Sequence, residues 1–357
     1  MAIPLPAFYK WDVYDSKLNN VHGHVECRYT AQTGYWSDPC FVQSPFLSVH
    51  GLAPGLNYGQ QVYEGIQARR TARNEILIFR PGASADRMAK SATAVSMPPV
   101  PYELFVRSVH MAVALNADYV PPHDFHGSMY IRPCQFGSSC QIGLQPPDEF
   151  IFCVFVQPHI ALHGHGSLRA LIAEDFDRAA TRGTGHVKIG GNYAPVIRWT
   201  QSAKKEENGG WDVLLHVDSK TQTRIDEFST SAFIGTKYAE EQNEPPQIIL
   251  PESAAAIQSI TSDSVAWLAK SFGWNIVKQP VTIDELASLS EVMAVGTAAG
   301  LVPVSCIRHN STNRTFEFPS AGPMYRQLKE TLDNIQRGRS SDSFGWCEKL
   351  RYAEFVQ

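Results

Sequence analysis

The stretch Gly185-His186-Val187-Lys188-Ile189-Gly190-Gly191-Asn192-Tyr193 surrounds one lysine with small residues. Because glycine has no side chain, a planar ligand can approach Lys188 closely. Glu227 follows later, in Arg224-Ile225-Asp226-Glu227-Phe228. A lysine amine forms a Schiff base with an aldehyde cofactor, and a carboxylate from another element can meet the ring nitrogen of that cofactor. The pair therefore predicts pyridoxal phosphate chemistry, with Lys188 as the catalytic group.

The chemistry requires these two residue types. Lysine provides a primary amine that can form an imine and later release it to a substrate amine. The released amine of Lys188 can then move a proton between the substrate α-carbon and the cofactor. A carboxylate at Glu227 would keep the pyridine nitrogen protonated, so that the ring accepts the electrons left after proton removal.

Composition limits the class of protein. The chain has 357 residues, which is enough for two domains, and 43% of them are hydrophobic and 18% charged. The net charge of −4 does not favour a nucleic-acid or membrane partner. The N-terminal sequence does not resemble a secretory signal, and no stretch approaches the roughly 20 apolar residues of a membrane helix. The seven cysteines form no Cys-x-x-Cys pair. This pattern predicts a reducing, cytoplasmic location, with mitochondria left open, and neither disulfides nor a zinc site.

Apolar patterning predicts an α+β chain. Strands are expected at Ile76–Phe79 and Glu149–Val156, and a helix is expected at Leu104–Leu115. A hairpin of 211–217 and 224–228 would place Glu227 at a strand end. We expect a smaller N-terminal α/β domain over residues 1–160, a connection over 161–185 with weaker strand character around Leu168–Ala173, and a larger cofactor-binding domain over 186–357.

A second helix is predicted from Ser259 to Gly273, where the glycine supplies a left-handed end. Thr261 and Ser262 lie at its N-terminus, where unpaired N–H groups and the helix dipole favour an anion. The small residues of Gly296-Thr297-Ala298-Ala299-Gly300 leave further backbone N–H groups open to a ligand. Together the two segments predict a phosphate site.

The chain resembles the branched-chain amino acid aminotransferases, which are fold-type IV pyridoxal phosphate enzymes with the D-amino-acid-transaminase-like fold. The resemblance extends from Leu56 to Gly338 and indicates a divergent, eukaryotic-type member. Its matching segments are Tyr63-Glu64-Gly65-Ile66, Phe79-Arg80-Pro81, Tyr130-Ile131-Arg132-Pro133, Lys188-Ile189-Gly190-Gly191-Asn192-Tyr193, Glu227, Ile260-Thr261 and Gly296-Thr297-Ala298-Ala299. It implies two α+β domains with the cofactor in the cleft between them.

The resemblance also implies a role for each matching residue. Lys188 would bind the cofactor aldehyde, Glu227 the pyridine nitrogen and Tyr193 the phenolic oxygen. The phosphate would be bound by Arg80, Ile260, Thr261 and Thr297. The substrate would be bound by Tyr58, Tyr63, Tyr130, Arg132, Ala298 and Ala299. Among these, Arg132 would bind the distal carboxylate of 2-oxoglutarate, and Tyr58 would be supplied by the neighbouring subunit of a homodimer.

Some positions depart from the family pattern. The family's Gly-Thr-x-Asn reads Ser229-Thr230-Ser231-Ala232, and its Gly-(Ile/Val)-Thr-Arg reads Ser259-Ile260-Thr261-Ser262. Tyr63 occupies a position where the family usually has phenylalanine. These changes leave the Lys188 machinery intact and point to an altered substrate, with a role in specialised metabolism.

The predicted reaction is a ping-pong transamination between an L-amino acid, branched-chain or otherwise hydrophobic, and 2-oxoglutarate. Within the fold, a D-amino-acid or (R)-amine transaminase and an aminodeoxychorismate lyase remain alternatives, because all use the same lysine and acid. A different class is suggested by His159, His163 and His165, whose spacing would suit a metal-dependent hydrolase. A P-loop at 183–188 is disfavoured, because Ile189 stands where that motif needs Ser or Thr.

Overall fold

The computed structural model describes residues 2–7, 11, 21–160, 166–205, 207, 209–239, 241 and 244–356. Its strands are β1 (His24–Thr30), β2 (Cys40–Val42), β3 (Gln61–Tyr63), β4 (Ile66–Arg70), β5 (Ile76–Phe79), β6 (Ser128–Gly137), β7 (Glu149–His159), β8 (Leu168–Ile172), β9 (Val213–Val217), β10 (Ile225–Phe228), β11 (Ala232–Lys237), β12 (Gln247–Pro251), β13 (Asn275–Gln279), β14 (Glu291–Gly296), β15 (Gly300–His309), β16 (Arg314–Glu317) and β17 (Cys347–Lys349). The α-helices are α1 (Pro54–Asn57), α2 (Pro81–Ala94), α3 (Tyr102–Ala114), α4 (Ile197–Ala203), α5 (Ile260–Ser271), α6 (Pro323–Gln336) and α7 (Tyr352–Phe355).

The first compact unit contains the residues up to Ile160, the short segment Lys188–Gly190, and the residues from Asn334 onward. Its sheet has the order β17-β5-β4-β6-β7-β1-β2, and β3 pairs with β6. These pairs are antiparallel. Helix α3 packs on this sheet, where the rings of Phe105 and Phe152 stack at a centroid distance of 5.6 Å.

The second unit contains 161–187 and 191–333. Its sheet has the order β10-β9-β8-β15-β14-β11-β12-β13, with β16 at the side of β15. The pairs of β8 with β9, of β8 with β15, and of β12 with β13 are parallel. The core is aliphatic and aromatic, with Leu215, Phe228 and Val304 among its buried residues, and α5 packs on β12 to β14.

The first unit also contains two segments that lie far from its other residues along the chain. Lys188–Gly190 belongs to the first unit because the backbone of Lys188 forms hydrogen bonds with Tyr63 of β3 and Ser91 of α2. The residues from Asn334 onward do so because β17 pairs with β5.

The predicted elements are confirmed with small changes at their ends. The strand Ile76–Phe79 has the predicted bounds, and β7, α3 and α5 lie where their patterns indicated. Strands β9 and β10 form the predicted antiparallel pair, with Ile225 opposite Val217 and Phe228 opposite Leu215. The register shifts between these pairs, which the sequence did not reveal. The segment predicted as a connection includes β8, a strand of the second sheet.

Candidate active site

The backbone of Lys188 is fixed on both sides within the first unit. Its N–H donates to Ser91 Oγ at 3.0 Å, and its carbonyl accepts from the Tyr63 N–H at 3.1 Å. Ile189 forms an antiparallel bridge with Val62. A Cβ on Gly190 would lie 2.9 Å from Gln61 Oε1, so glycine permits this close approach. The short lysine segment is thus attached to the edge of β3.

Asn192 belongs to the second unit and closes the turn formed by residues 184–187, which precedes Lys188 along the chain. Its amide donates to the carbonyls of Thr184 at 2.8 Å and Val187 at 2.9 Å. Asn192 is buried, and so is Gly185, where an added Cβ would lie 2.4 Å from the Ala255 carbonyl oxygen. The small-residue context recognised in the sequence therefore has a packing reason as well as a chemical one.

The Tyr63 ring contacts two cationic side chains. Lys188 Nζ and Arg132 Cζ each lie 4.8 Å from its centroid. Arg132 Cζ is also 5.3 Å from the centroid of Tyr130, and its Nη2 donates to the Tyr130 hydroxyl at 3.4 Å. Cations are attracted to the faces of aromatic rings at such distances. The fold therefore brings four predicted site residues, Lys188, Tyr63, Tyr130 and Arg132, into one group.

Tyr130 occupies space that a side chain at position 65 would need. A Cβ on Gly65 would lie 2.0 Å from the Tyr130 hydroxyl oxygen. The Tyr130 ring also meets the buried His159 ring edge-on, at a centroid distance of 5.3 Å. Close packing on both sides gives the Tyr130 hydroxyl a defined position.

A cavity of about 320 Å³ opens beside Tyr130 and Arg132 in the first unit. Its wall combines apolar groups with a few polar ones, which is the usual make-up of a small-molecule site. The lining residues are Val21, Gly23, Ser44, Pro45, Tyr130, Arg132, Phe155, Val156 and Gln157. No sequence pattern indicated Gln157 or Ser44, because they reach the cavity from β7 and from the end of β2.

Arg80 and Tyr58 belong to the first unit as well. Arg80 is half-buried and lies between β5 and α2, with left-handed backbone angles of φ 48° and ψ 49°. Its guanidinium lies 5.5 Å from the centroid of the Trp346 ring. Tyr58 follows α1, is 45% exposed, and donates its hydroxyl to the carbonyl of Ile142.

In the second unit, Glu227 is buried beside an arginine that the sequence interpretation had missed. Arg178 Nη2 lies 2.9 Å from Glu227 Oε1, and their side chains are 3% and 9% exposed. Arg178 also donates to the carbonyls of Ala255 and Gly185. The ion pair stabilises the ionised form of Glu227, which is the form needed to hold a proton on a pyridine nitrogen.

Two more titratable groups lie around this pair. Burial raises the pKa of Asp226, against the opposing effects of a hydrogen bond from Ser253 at 2.5 Å and the charge of Arg178. Burial also lowers the pKa of His216 to about 3, and the charge of Arg178 acts in the same direction. His216 Nε2 and the hydroxyl of Ser229 lie 2.9 Å apart. A neutral histidine therefore supports the segment that follows Glu227.

Helix α5 begins where the sequence predicted. Ser259 is the N-cap, and its side chain accepts from the Ser262 N–H at 3.1 Å. Thr261 is buried, and Ser262 Oγ is buried with no hydrogen-bond partner among the residues that the structure describes. These groups lie at the positive end of the helix dipole, where an anion is stabilised.

The other predicted loop is the three-residue turn Thr297-Ala298-Ala299, which joins β14 to β15. Thr297 and Ala298 are half-buried, and Ala299 is buried. Tyr193 is half-buried and comes directly before a short 3-10 helix at Ala194–Val196. The second unit thus carries Tyr193, Glu227, Ile260, Thr261, Thr297, Ala298 and Ala299.

The alternative metal site was predicted from three histidines, and the structure describes only one of them. His163 and His165 lie outside the described residues, and His159 packs against Tyr130. Within the part of the chain that is described, no group of three or more His, Cys, Asp or Glu side chains could hold a metal ion. All seven cysteines lie in this part, and their thiols are free.

The residues present suit pyridoxal phosphate. The first unit offers a primary amine on a fixed backbone and a half-buried arginine. The second unit offers a buried carboxylate that is paired with Arg178. At the N-terminus of α5 it also offers a buried hydroxyl that no described residue satisfies. An aldehyde, a phosphate and a pyridine nitrogen require these kinds of partner.

Comparison with known proteins shows the family of the chain. Residues 61–307 match the family described as Amino-transferase class IV. The chain is 60% identical to Aminotransferase apf4 of Gibberella fujikuroi, over 99% of this chain and 94% of that protein. It is 45% identical to Branched-chain amino acid aminotransferase gloG of Glarea lozoyensis, over 97% of each.

Solved structures show the same fold. The branched-chain amino acid aminotransferase of Escherichia coli aligns with a TM-score of 0.75 and 20% identity, over 93% of this chain and 100% of that one. The branched-chain amino acid aminotransferase of Thermobaculum terrenum, in its PLP-bound holo-form, aligns with a TM-score of 0.73 and 20% identity, over 93% of this chain and 99% of that one.

The fold and the donor set therefore define a pyridoxal-phosphate-dependent transaminase of fold type IV. The chain belongs to the class IV aminotransferases. The predicted fold class, enzyme class and cofactor are confirmed. Within the described residues, no helix has the length and apolarity needed to cross a membrane.

Proposed function

We propose that the chain transfers an amino group between an L-amino acid with a hydrophobic or oxygenated side chain and 2-oxoglutarate. The observation that carries this proposal is the position of Arg132, which stacks between Tyr63 and Tyr130 and lines the cavity of the first unit. A guanidinium binds a carboxylate bidentately, and its aromatic neighbours cover its faces while the edge stays accessible. The name of the gloG relative supports a hydrophobic amino acid as one substrate.

Lys188 and Glu227 act on opposite ends of the same cofactor in this proposal. Pyridoxal phosphate, when bound, withdraws the electrons left on the substrate α-carbon after its proton is removed. Lys188 binds the cofactor and, when released, moves that proton. Glu227 keeps the proton on the pyridine nitrogen, and Tyr193 donates to the phenolic oxygen.

The phosphate would be bound by charge and by backbone donors. Arg80 supplies the planar cation, and the N–H of Ile260 with the side chains of Thr261 and Thr297 supplies neutral donors. Ser262 Oγ is an additional donor near the first turn of α5. This proposed phosphate set contains no lysine.

Tyr130 and the backbone of Ala298 and Ala299 would bind the substrate α-carboxylate. Arg132 would bind the distal carboxylate of 2-oxoglutarate or glutamate. When an apolar amino acid is bound, the Tyr63 and Tyr130 rings would cover the Arg132 charge by cation–π contact. One pocket would thereby accept both kinds of side chain in turn, as a ping-pong reaction requires.

The cavity favours side chains larger than those of leucine, isoleucine and valine. Its volume of about 320 Å³ is near the lower end of the ~300–1,000 Å³ usual for ligand sites. A site of this volume takes ligands larger than the leucine side chain, which has about four carbon atoms. Ser44 and Gln157 add hydrogen-bonding groups to the wall.

The active form in this proposal is a homodimer that shares a pocket across its interface. Tyr58 is 45% exposed, and Phe46, Leu56 and Ile142, also of the first unit, are 79%, 65% and 74% exposed. Apolar side chains exposed to this degree are typical of interaction surfaces. Tyr58 would then contact the substrate bound by the neighbouring subunit.

The direct test is transamination of 2-oxoglutarate with a panel of L- and D-amino acids, followed by three single variants. Arg132→Ala should raise KM for 2-oxoglutarate about 10- to 100-fold, the scale of a charge-assisted pair, and should change KM for 4-methyl-2-oxopentanoate much less. Tyr63→Phe, and independently Gln157→Leu, should shift kcat/KM toward branched-chain substrates, because each removes a polar group.

Arg132→Lys is the matched control, since it keeps the charge but loses the bidentate geometry. Its KM for 2-oxoglutarate should fall between that of the wild type and that of Arg132→Ala. Equal effects of Arg132→Ala on both acceptors would show that Arg132 does not bind the distal carboxylate. Activity only with D-amino acids or (R)-amines, or release of a lyase product without transamination, would favour the alternatives of the same fold.

A further inference from the structure

The backbone of Arg80 has a conformation that L-residues other than glycine rarely adopt. Its φ of 48° and ψ of 49° lie in the left-handed region, and Pro81 begins α2 directly after it. The Arg80 N–H donates to the carbonyl of Trp346 at 2.7 Å. The bond joins the start of α2 to a residue far along the chain, beside β17.

Trp346 also contacts the charged end of the same residue. The Arg80 guanidinium carbon lies 5.5 Å from the Trp346 ring centroid, and tryptophan is the strongest aromatic partner for a cation. Trp346 therefore binds Arg80 at both its backbone and its side chain.

The Trp346 ring has little freedom to move, because two other rings hold it. Phe344 stacks on it with centroids 4.2 Å apart and planes inclined by 11°, and Phe79 meets it edge-on at 5.9 Å. Only 7% of Trp346 is exposed. The ring is thus a rigid support rather than a surface side chain.

Hydrogen bonds of the neighbouring backbone fix the position of Trp346. The Asp342 carboxylate accepts from the N–H groups of Phe344 at 3.2 Å and Cys347 at 2.7 Å, which closes the turn before β17. Cys347 then pairs with Phe79 in β5, the residue before Arg80. The same strand pair thereby fixes both Trp346 and Arg80.

We propose that Trp346 is a positioning residue for the cofactor phosphate and holds the Arg80 guanidinium ready to bind it. This inference rests on the proposed role of Arg80. An arginine side chain that is already ordered loses less conformational freedom when it binds, so the affinity for the phosphate is higher. The C-terminal turn from Asp342 to Cys347 therefore contributes to cofactor retention without touching the cofactor.

The test compares pyridoxal phosphate with pyridoxal, which has no phosphate. The full-length protein is depleted of cofactor and titrated with each compound, and absorbance reports binding. Trp346→Leu should raise Kd for pyridoxal phosphate roughly 3- to 30-fold, the range of a partly buried cation–π contact. Trp346→Phe should have a smaller effect, because it keeps a ring. Kd for pyridoxal should change little in either variant.

Trp211→Phe is the matched control. Arg169 Cζ lies 4.4 Å from the Trp211 ring centroid in the second unit, and Trp211 is 8% exposed. The variant removes an indole of similar burial to that of Trp346 from an arginine–tryptophan pair that has no part in the proposed phosphate site. Its Kd for pyridoxal phosphate should equal that of the wild type, even if its melting temperature falls.

Arg80→Ala and the double variant Arg80→Ala/Trp346→Leu separate the possible failures. If Trp346 acts through Arg80, the double variant should bind pyridoxal phosphate no more weakly than Arg80→Ala alone. Additive losses, or an equal loss of pyridoxal affinity, would overturn the inference and show a general effect on the fold. If Arg80→Ala itself left the affinity for pyridoxal phosphate unchanged, the proposed role of Arg80 would fail instead.

Discussion

The Glu227→Gln variant should lose both stability and activity, and the ion pair with Arg178 makes the two losses separable. Glutamine keeps the shape of the side chain but removes its charge, so Arg178 would remain buried without its carboxylate. With side-chain exposures of 3% and 9%, breaking the pair should cost about 3–5 kcal/mol of unfolding free energy. Glutamine can still accept one hydrogen bond, which favours the lower end of this range.

The effect on catalysis has a different origin. Without a negative charge, nothing at position 227 keeps the pyridine nitrogen protonated, and the proton-transfer step should slow by roughly 10²- to 10⁴-fold. This loss is equivalent to about 3–5 kcal/mol of activation free energy. Measurement of kcat with saturating cofactor separates it from weaker cofactor binding.

The double variant Arg178→Met/Glu227→Gln distinguishes the two effects. Removing both charges leaves no buried ion without a partner, so urea denaturation should show that much of the lost stability returns. The kcat should stay low, because the acid is still absent. If the double variant recovered kcat, Glu227 would act only through the fold. An unchanged kcat in Glu227→Gln would move the role to Asp226.

Three other variants test separate parts of the chain. Lys188→Ala should abolish turnover and the near-visible absorbance of lysine-bound cofactor, with an unchanged far-UV circular dichroism spectrum; near-wild-type turnover would refute the assignment. Gly65→Ala should displace the Tyr130 hydroxyl, which lies 2.0 Å from the new Cβ, and raise substrate KM more than the Kd of the cofactor; an unchanged KM would argue against the Tyr130 role. His216 has a folded pKa of about 3, below its unfolded ~6.5. Stability should therefore fall as pH drops from ~6.5 toward 3. In denaturation curves, His216→Gln should lose less stability over this pH range than the wild type. The same pH dependence in both proteins would contradict the role of His216.

The sequence predicted the site correctly where one short segment contains both a functional residue and the residues that shape the backbone around it. Lys188 was predicted from its glycine neighbours, and the structure gives the reason, since Gly190 passes close to Gln61. The start of α5 was predicted from its serine and threonine residues and from Gly273, which has φ 79°. These signals are local, so one sequence contains them in full.

The residues that were missed act over long distances along the chain. Trp346 contacts Arg80 through the pairing of β17 with β5, and no local pattern indicates that pairing. Arg178 lies in a Gly- and Ala-rich segment, and its partner Glu227 comes from another strand. His216 did give a signal, because a single polar residue interrupts the apolar run Val213–Val217. A buried polar group of that kind needs a partner.

The bulge between β9 and β10 explains why the choice between two neighbouring acids was difficult. In a regular strand, Asp226 and Glu227 would point to opposite faces of the sheet. The register shifts between Ile225 and Phe228, and both acids are buried, at 4% and 7% exposure. The sequence contains no turn residue or proline that predicts this shift. The structure separates the acids by their partners, Ser253 for Asp226 and Arg178 for Glu227.

The departures from the family pattern fall into two physical groups. Ser229 bonds to the buried His216, and Ser259 caps α5 through the Ser262 N–H. Ala232 begins β11 opposite Val295. These residues serve the fold of the second unit, and the cap keeps the N-terminus of α5 available to an anion. Tyr63 differs, because its ring contacts both Lys188 and Arg132. A change there alters the surroundings of the substrate, so we expect the divergence in specificity to arise at Tyr63 and the adjoining cavity rather than in the altered loops.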